Sequence, residues 1–254
     1  MKLTTFLFAT VITANAFGQE TQKDIPNTDF KRLQIGANFS PDYCFRVLKN
    51  NDGSSTSEGN LKSRNSNETQ KLGYTAGLNF IFNLREKIGI EIGVQYSNKG
   101  YQTKMQDLTF GSMIDPRRGF IYTSSGPTPT RGKFIYNDYY LDIPLKLNFI
   151  FGKNKIRFIV SAGVTTNIFI KETTTSVLEY EDGSHTKNTS SSSFDYKKFN
   201  FSPFISTGID WKLNSRNNLR IEPTFRYGVL KIIDAPVTGY LWNAGLNISY
   251  YFGL

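Results

Sequence analysis

The sequence predicts an all-β fold, an eight-stranded antiparallel transmembrane up-and-down β-barrel, and three observations predict it. Apolar residues recur at every second position in eight separate stretches from Leu33 onward, the period of a strand whose two faces meet different surroundings. The links between these stretches alternate strictly between tight turns and long polar segments. After the N-terminus there is no run of roughly 18 apolar residues, so spanning by helices is excluded.

The elements follow in order. Lys2 supplies a positive charge, Leu3 to Ala14 form a short apolar stretch, and the small residues Ala14, Ala16 and Gly18 follow. That succession predicts a signal peptide over residues 1–18, and export with it. No cysteine follows the apolar run, which argues against a lipid anchor. Residues 19–32 then form a periplasmic segment and residues 33–254 the barrel. Strands are expected to begin near Leu33, Leu72, Ile88, Tyr139, Ile156, Phe201, Leu219 and Trp242. The last is the clearest: Trp242, Ala244, Leu246, Ile248, Tyr250 and Phe252 share one face, and Asn243, Gly245, Asn247, Ser249 and Tyr251 the other. Tight turns fall at Asn83–Lys87, Gly152–Lys155 and Asn214–Asn218. Loops fall at Asp42–Lys71, Lys99–Asp138, Lys171–Lys198 and Leu230–Gly239. Short turns and long loops are the two ends of an outer-membrane barrel of a Gram-negative bacterium, with both termini periplasmic and the long loops extracellular. Pro144 and Pro223 interrupt strands, each removing a ladder donor, and predict local bulges.

The two faces differ in the way a membrane demands. On the apolar face, aromatic residues gather at one end of the strands (Tyr74, Tyr96, Tyr139, Tyr227, Trp242) and again at the other (Phe82, Phe151, Phe158, Trp211, Phe252). Two such girdles match the two membrane interfaces, and a soluble barrel has no reason to sort rings this way. The opposite face carries Glu91, Asp142, Lys146, Arg157, Asp210, Lys212, Arg220, Glu222 and Arg226. An Arg or Lys facing hydrocarbon at mid-depth costs about 2–4 kcal/mol, so these side chains are expected to point inward. Glycines on the same face, such as Gly36, Gly163 and Gly245, make room in a narrow lumen. Arg157, Arg220 and Arg226 are expected to pair structurally with Glu91, Asp142, Asp210 and Glu222, with a narrow ion path as the alternative.

Several function classes drop out. Eight strands leave an interior roughly filled by side chains, whereas a diffusion pore needs about 16. The formal charge of +9 comes from scattered Lys and Arg opposed by acids, without a recognition helix or zinc spacing, so a nucleic-acid partner is not expected. The single His, His185, lies in a long Ser- and Thr-rich loop, which does not hold a base in fixed geometry, and no second His or Cys accompanies it, so neither catalysis nor a metal site is expected, and no cofactor. Cys44 stands alone and forms no intramolecular disulfide. It reads as a packed small residue rather than a reactive thiol. The partners expected are outer-membrane lipid and other envelope proteins. Tyr101, Phe110, Phe120 and Tyr122 are candidate loop contacts, since exposed rings anchor interfaces; the alternative is that they pack on one another above the membrane.

Three segments carry a family resemblance: YYLDIPLKLNF at Tyr139–Phe149, YSNKG at Tyr96–Gly100, and the terminal run at Gly245–Phe252. The chain resembles the PorT-like outer-membrane β-barrel proteins from about Leu33 to its end. The resemblance implies an eight-stranded barrel behind a signal peptide, without common catalytic residues. It also suggests a role as accessory to protein export, since the family's namesake is linked to type IX secretion. The functional expectation is thus a non-enzymatic barrel for envelope interaction. The alternatives are a narrow barrel for small solutes or ions and a lipid-modifying outer-membrane enzyme.

Overall fold

The computed structural model describes residues 30–108, 113–114, 121–122, 127–191 and 195–254. The expected signal peptide and most of the segment after it lie outside the described residues. Eight long strands build the molecule: β1 (Leu33–Asn50), β2 (Lys71–Arg85), β3 (Ile88–Thr103), β4 (Pro129–Phe151), β5 (Ile156–Tyr180), β6 (Phe199–Lys212), β7 (Asn217–Tyr227) and β8 (Val237–Gly253). Each pairs antiparallel with its neighbours in sequence, and β1 pairs with β8, so the sheet closes on itself as an up-and-down barrel. Closure leaves no free edge within the ring.

The side-chain pattern explains why these segments are strands of a membrane barrel. On β7, Arg220, Glu222, Thr224 and Arg226 are buried while Phe225 is 46 % exposed, and on β8 Asn243, Asn247, Ser249 and Tyr251 are buried while Leu246, Ile248 and Tyr250 are exposed. The burial is inverted relative to a soluble protein: polar groups lie inside and apolar ones outside, against lipid. The outward aromatics touch around the barrel. Tyr96 sits between Tyr74 and Tyr139 at one end, with centroids 6.4 and 5.8 Å apart, and Phe151 meets Phe158 at the other at 6.2 Å.

Links of two to four residues join β2 to β3, β4 to β5 and β6 to β7, which defines a turn end. In the second of these, Gly152 takes a positive φ of 98°, a conformation that favours glycine. The other end carries the long connections, and here the expected loop bounds need correction. β1 runs on to Asn50, β3 to Thr103 and β5 to Tyr180, while β4 begins at Pro129 and β8 at Val237, all within segments expected to be loop. The short strand Gln106–Asp107 adds to the flank of β4 and His185–Ser191 to that of β5, extending the barrel wall beyond the ring at the loop end. The first loop also contains a helix, α1 (Ser55–Asn67), capped by the Ser54 hydroxyl, which accepts from Ser57 N at 3.1 Å. Pro144 and Pro223 do not make bulges. Pro144 keeps Thr165 as partner on β5, and its other ladder passes from Ile92↔Leu145 to Gln95↔Asp142 in unchanged register. Pro223 behaves likewise, with Ser206↔Thr224 and Ile209↔Ile221 in one register. Dropping a rung loses a hydrogen bond or two. A bulge would turn every following inward charge toward lipid.

Candidate functional site in the barrel interior

The interior is filled in three layers. Nearest the turn end lies a cluster of three cations and three carboxylates. Lys146 Nζ stands 2.8 Å from Glu222 Oε2 and 3.6 Å from Glu91 Oε2. Arg220 Nε donates to Asp210 Oδ1 at 2.8 Å, and its Nη1 lies 3.6 Å from Glu91, an ion-pair distance without a hydrogen bond. Arg157 Nε donates to the second oxygen of Asp210 at 2.9 Å. Neutral donors complete the shells of the acids: Asn148 and the Tyr251 hydroxyl both reach Glu91 at 2.9 Å, and Ser206 reaches Glu222 at 3.0 Å. The Arg220 guanidinium also lies over the Tyr251 ring, 4.7 Å from its centroid.

A neutral layer follows. Asn38 donates to Asn247 at 3.0 Å and accepts from both Asn79 and Gln95 at 3.2 Å, and Gln95 donates to Asn79 at 2.9 Å. These amides bridge four strands.

The upper layer lies toward the loop end. Lys99 Nζ is 2.9 Å from Asp142 Oδ2, and Asn167 donates to the other oxygen at 2.7 Å. Arg226 lies 3.4 Å from Asp42. Arg46 grips Glu68 with two hydrogen bonds, at 2.8 and 2.5 Å, and lies flat over Tyr101, 3.5 Å from the ring centroid. Tyr101 in turn stacks on Tyr136 at 4.5 Å. Beside these charges an apolar cluster forms from Tyr140, Ile232 and Leu241, with Phe169 and Ile233 packed against it and Tyr196 stacked on Phe169. The last loop thereby folds into the mouth, and Tyr196 and Ile233 form a backbone bridge there.

Of the nine charged residues singled out in sequence, Glu91, Lys146, Arg157, Asp210, Arg220 and Glu222 meet in the lower cluster. Asp142 and Arg226 belong instead to the upper layer, with Lys99 and Asp42 as partners. Lys212 is half-exposed at the turn end and joins no salt bridge among the described residues. Tyr101 is not an exposed contact: it is 6 % exposed, held between Arg46 and Tyr136. Phe110 and Phe120 lie outside the described residues, and of Tyr122 only its short strand with Met113–Ile114 is described. Cys44 is fully buried, its Sγ 3.8 Å from Asp42 O, out of reach of an external partner. Asp42, Arg46, Glu68, Lys71, Lys99, Asp138 and Glu172 escaped the sequence reading. For Asp42 and Arg46 the signal was the two-residue alternation, which continues through Asp42, Cys44 and Arg46 on β1; Glu68 lies off the long strands and Glu172 beyond a shift of register.

The chain is similar to Neisserial surface protein A, at 9 % identity over 87 % of this chain and 97 % of that one, with a TM-score of 0.44. It is also similar to the outer membrane protein OprG from Pseudomonas aeruginosa, at 13 % identity over 88 % and 97 %, TM-score 0.42. A third is Ail, the attachment invasion locus protein of Yersinia pestis, at 11 % over 87 % and 99 %, TM-score 0.30. No curated protein matches the chain. The model of the outer membrane protein beta-barrel domain matches residues 17–234, and this chain, with its closed ring, lipid-facing aromatics and charge-filled interior, belongs to that family.

Proposed function

We propose that this outer-membrane barrel is a non-enzymatic interaction protein that works through its loop end, with the loops facing outward and both termini in the periplasm. The observation that carries the reading is the solid interior. Arg220, Tyr251, Glu222, Asn79, Asn148 and Asp42 are each less than 2 % exposed, which leaves water almost no surface on them, and solute passage would require breaking ion pairs. Available to a partner at the loop end are most residues of α1 and the wall extension, where all seven residues of His185–Ser191 are exposed. Alternation of short turns and long loops supports the orientation. Resemblance of Tyr96–Gly100 and Tyr139–Phe149 to the PorT-like proteins supports a narrower form of the reading, an accessory to protein export. His185, the candidate base of a lipid-modifying enzyme, stands exposed opposite Glu179 on a hairpin, a poor setting for fixed catalytic geometry.

The test is cross-linking of the tagged protein in detergent-solubilised outer membranes, with partners identified by mass spectrometry. Stoichiometric recovery of envelope or export proteins, lost when residues 181–191 are removed, is the expected result. Reproducible channel events of the purified wild type in planar bilayers would instead favour solute passage and overturn the reading.

A further inference from the structure

The turn-end cluster is balanced, with Lys146, Arg157 and Arg220 facing Glu91, Asp210 and Glu222, each in an ion pair. The loop-end layer is not. Its buried charged side chains are the cations Arg46, Lys71, Lys99 and Arg226 and the carboxylates Asp42, Glu68, Asp138, Asp142 and Glu172, one carboxylate in excess. Arg46, Lys99 and Arg226 take Glu68, Asp142 and Asp42 as partners. Lys71 donates to Asn98 and Asn137 rather than to an acid. Asp138 and Glu172 are left over, 1 % and 3 % exposed. Neither oxygen of Asp138, nor Oε2 of Glu172, accepts a hydrogen bond from the described residues.

These two residues are direct partners across β4 and β5. Direct opposition puts Cβ atoms about 4.5–5.5 Å apart, where like charges are destabilising. The arrangement is built by a bulge. The register shifts between Tyr139 and Tyr140, Ile170 and Lys171 both point outward, and Glu172 is thereby turned inward to face Asp138. Without that extra residue Glu172 would point away from the lumen. Two carboxylates so placed, both desolvated, cannot both ionise cheaply.

We propose that Asp138, set against Glu172 across β4 and β5, keeps its proton in the closed mouth below neutral pH and releases it to water at the loop end when the mouth opens or the pH rises through neutral, so that the mouth loosens from acid to neutral pH. The proton passes between a carboxyl oxygen of Asp138 and solvent, and the mouth gains one negative charge. The groups facing the pair are Arg46 from β1, Lys71 from β2, Lys99 and Tyr101 from β3, Tyr136 and Tyr140 from β4, and Tyr196 from the following loop, with Glu68 and Asp142 behind them as the partners of Arg46 and Lys99. Asp138 lies one residue outside Tyr139 of the aromatic ring, and so beyond the spanning part of β4. Burial first, and then the Glu172 charge, push its carboxyl up to about 7; Arg46, Lys71 and Lys99 pull it down without cancelling the rise. The same three cations disfavour a metal ion as the neutralising charge.

The sign of the effect follows from linkage. A carboxyl raised on folding contributes stability in full below its unfolded value, about 4, and loses it as the pH rises through its folded value. Local opening of the mouth should therefore grow by up to about tenfold per pH unit between those limits and level off above them. Infrared spectra of the full chain in lipid vesicles give the direct readout. A protonated carboxyl band is expected in the wild type at slightly acid pH, fading through neutral and absent from the Asp138→Asn/Glu172→Gln double variant. Amide exchange of β4 and β5 above Tyr139, corrected for intrinsic rates, should show the pH slope in the wild type and none in Asp138→Asn. No protonated carboxyl in the wild type, a band that survives in the double variant, or equal slopes in wild type and Asp138→Asn would each overturn the proposal. So would a band abolished by calcium at constant pH, which would make the pair a metal site. None of these outcomes depends on what the loop end binds.

Discussion

Gly245 on β8 faces Asp42 on β1, and a Cβ built on it would stand 1.8 Å from Asp42 Oδ1 and 2.6 Å from Ser40 Oγ. Only glycine leaves room for the carboxylate that Ser40 and Arg226 hold from its other sides. Gly245→Ala should push Asp42 out of reach of Arg226 and cost about 1–3 kcal/mol, the usual cost of overpacking. Urea unfolding of the protein folded into vesicles measures this, with Gly59→Ala in α1, where nothing lies within 4 Å, as a control that firms the helix and leaves the ring's unfolding unchanged. The ion pairs make a sharper claim. Glu222 accepts from Lys146, Ser161 and Ser206 and is fully buried. Glu222→Gln should therefore cost about 3–5 kcal/mol, because Lys146 keeps its charge in a place with little water. Adding Lys146→Met should recover most of that loss, since a neutral Gln and Met of similar volume leave no orphaned charge. If the two single losses simply add in the double variant, the residues are not coupled and the interior is wetter than its geometry implies.

At the scale of elements, the helix in the first loop offers a local test. α1 has a single large apolar residue, Leu61, and its start depends on the Ser54 cap and on Asp52, which accepts from Ser57 Oγ at 2.9 Å. Ser54→Ala should cost about 1 kcal/mol of helix stability and nothing of the barrel's. Amide exchange at Ser57 and Glu58 should accelerate while β1 and β2 stay protected; faster exchange in the strands would mean that the loop supports the ring. What was legible in the sequence follows the same division. β7 and β8 were readable almost residue by residue, because lipid on one side and a charged lumen on the other force strict alternation. The upper reaches of β1, β4 and β5 were not. There Asp42, Lys99, Asp138 and Glu172 look like loop residues, since a lumen-facing charge and a solvent-facing charge are the same letter. The bulge that turns Glu172 inward shifts the phase by one residue, which no simple period can follow. Tyr101 misled for a related reason: an aromatic ring above the membrane serves equally as a surface anchor or, as here, as a platform for Arg46. α1 was illegible because a helix without an apolar face leaves no periodicity to detect.

For the whole molecule, the decisive question is whether the outward face is a lipid face along its full height. β2 poses it cleanly. Tyr74 and Phe82 belong to the two aromatic rings, and Leu78 lies four residues from each, 53 % exposed, beside Val94 of β3 at 54 %. If hydrocarbon surrounds the barrel, Leu78 sits near mid-depth. A charge there is then far costlier than one at either ring, because the penalty falls with distance from the bilayer centre. Leu78→Arg should destabilise the folded barrel by about 2–4 kcal/mol and Tyr74→Arg by about 0–1 kcal/mol, both read from denaturant titrations in vesicles. A water-soluble barrel of the same shape predicts the reverse order. Leu78→Arg would remove an exposed apolar side chain at almost no cost, whereas Tyr74→Arg would break a ring contact with Tyr96. The comparison therefore separates two environments for one fold. It does so without using the interior, whose charge pairs would look much the same in either, and the ratio of the two losses carries the result even if the absolute stability proves high.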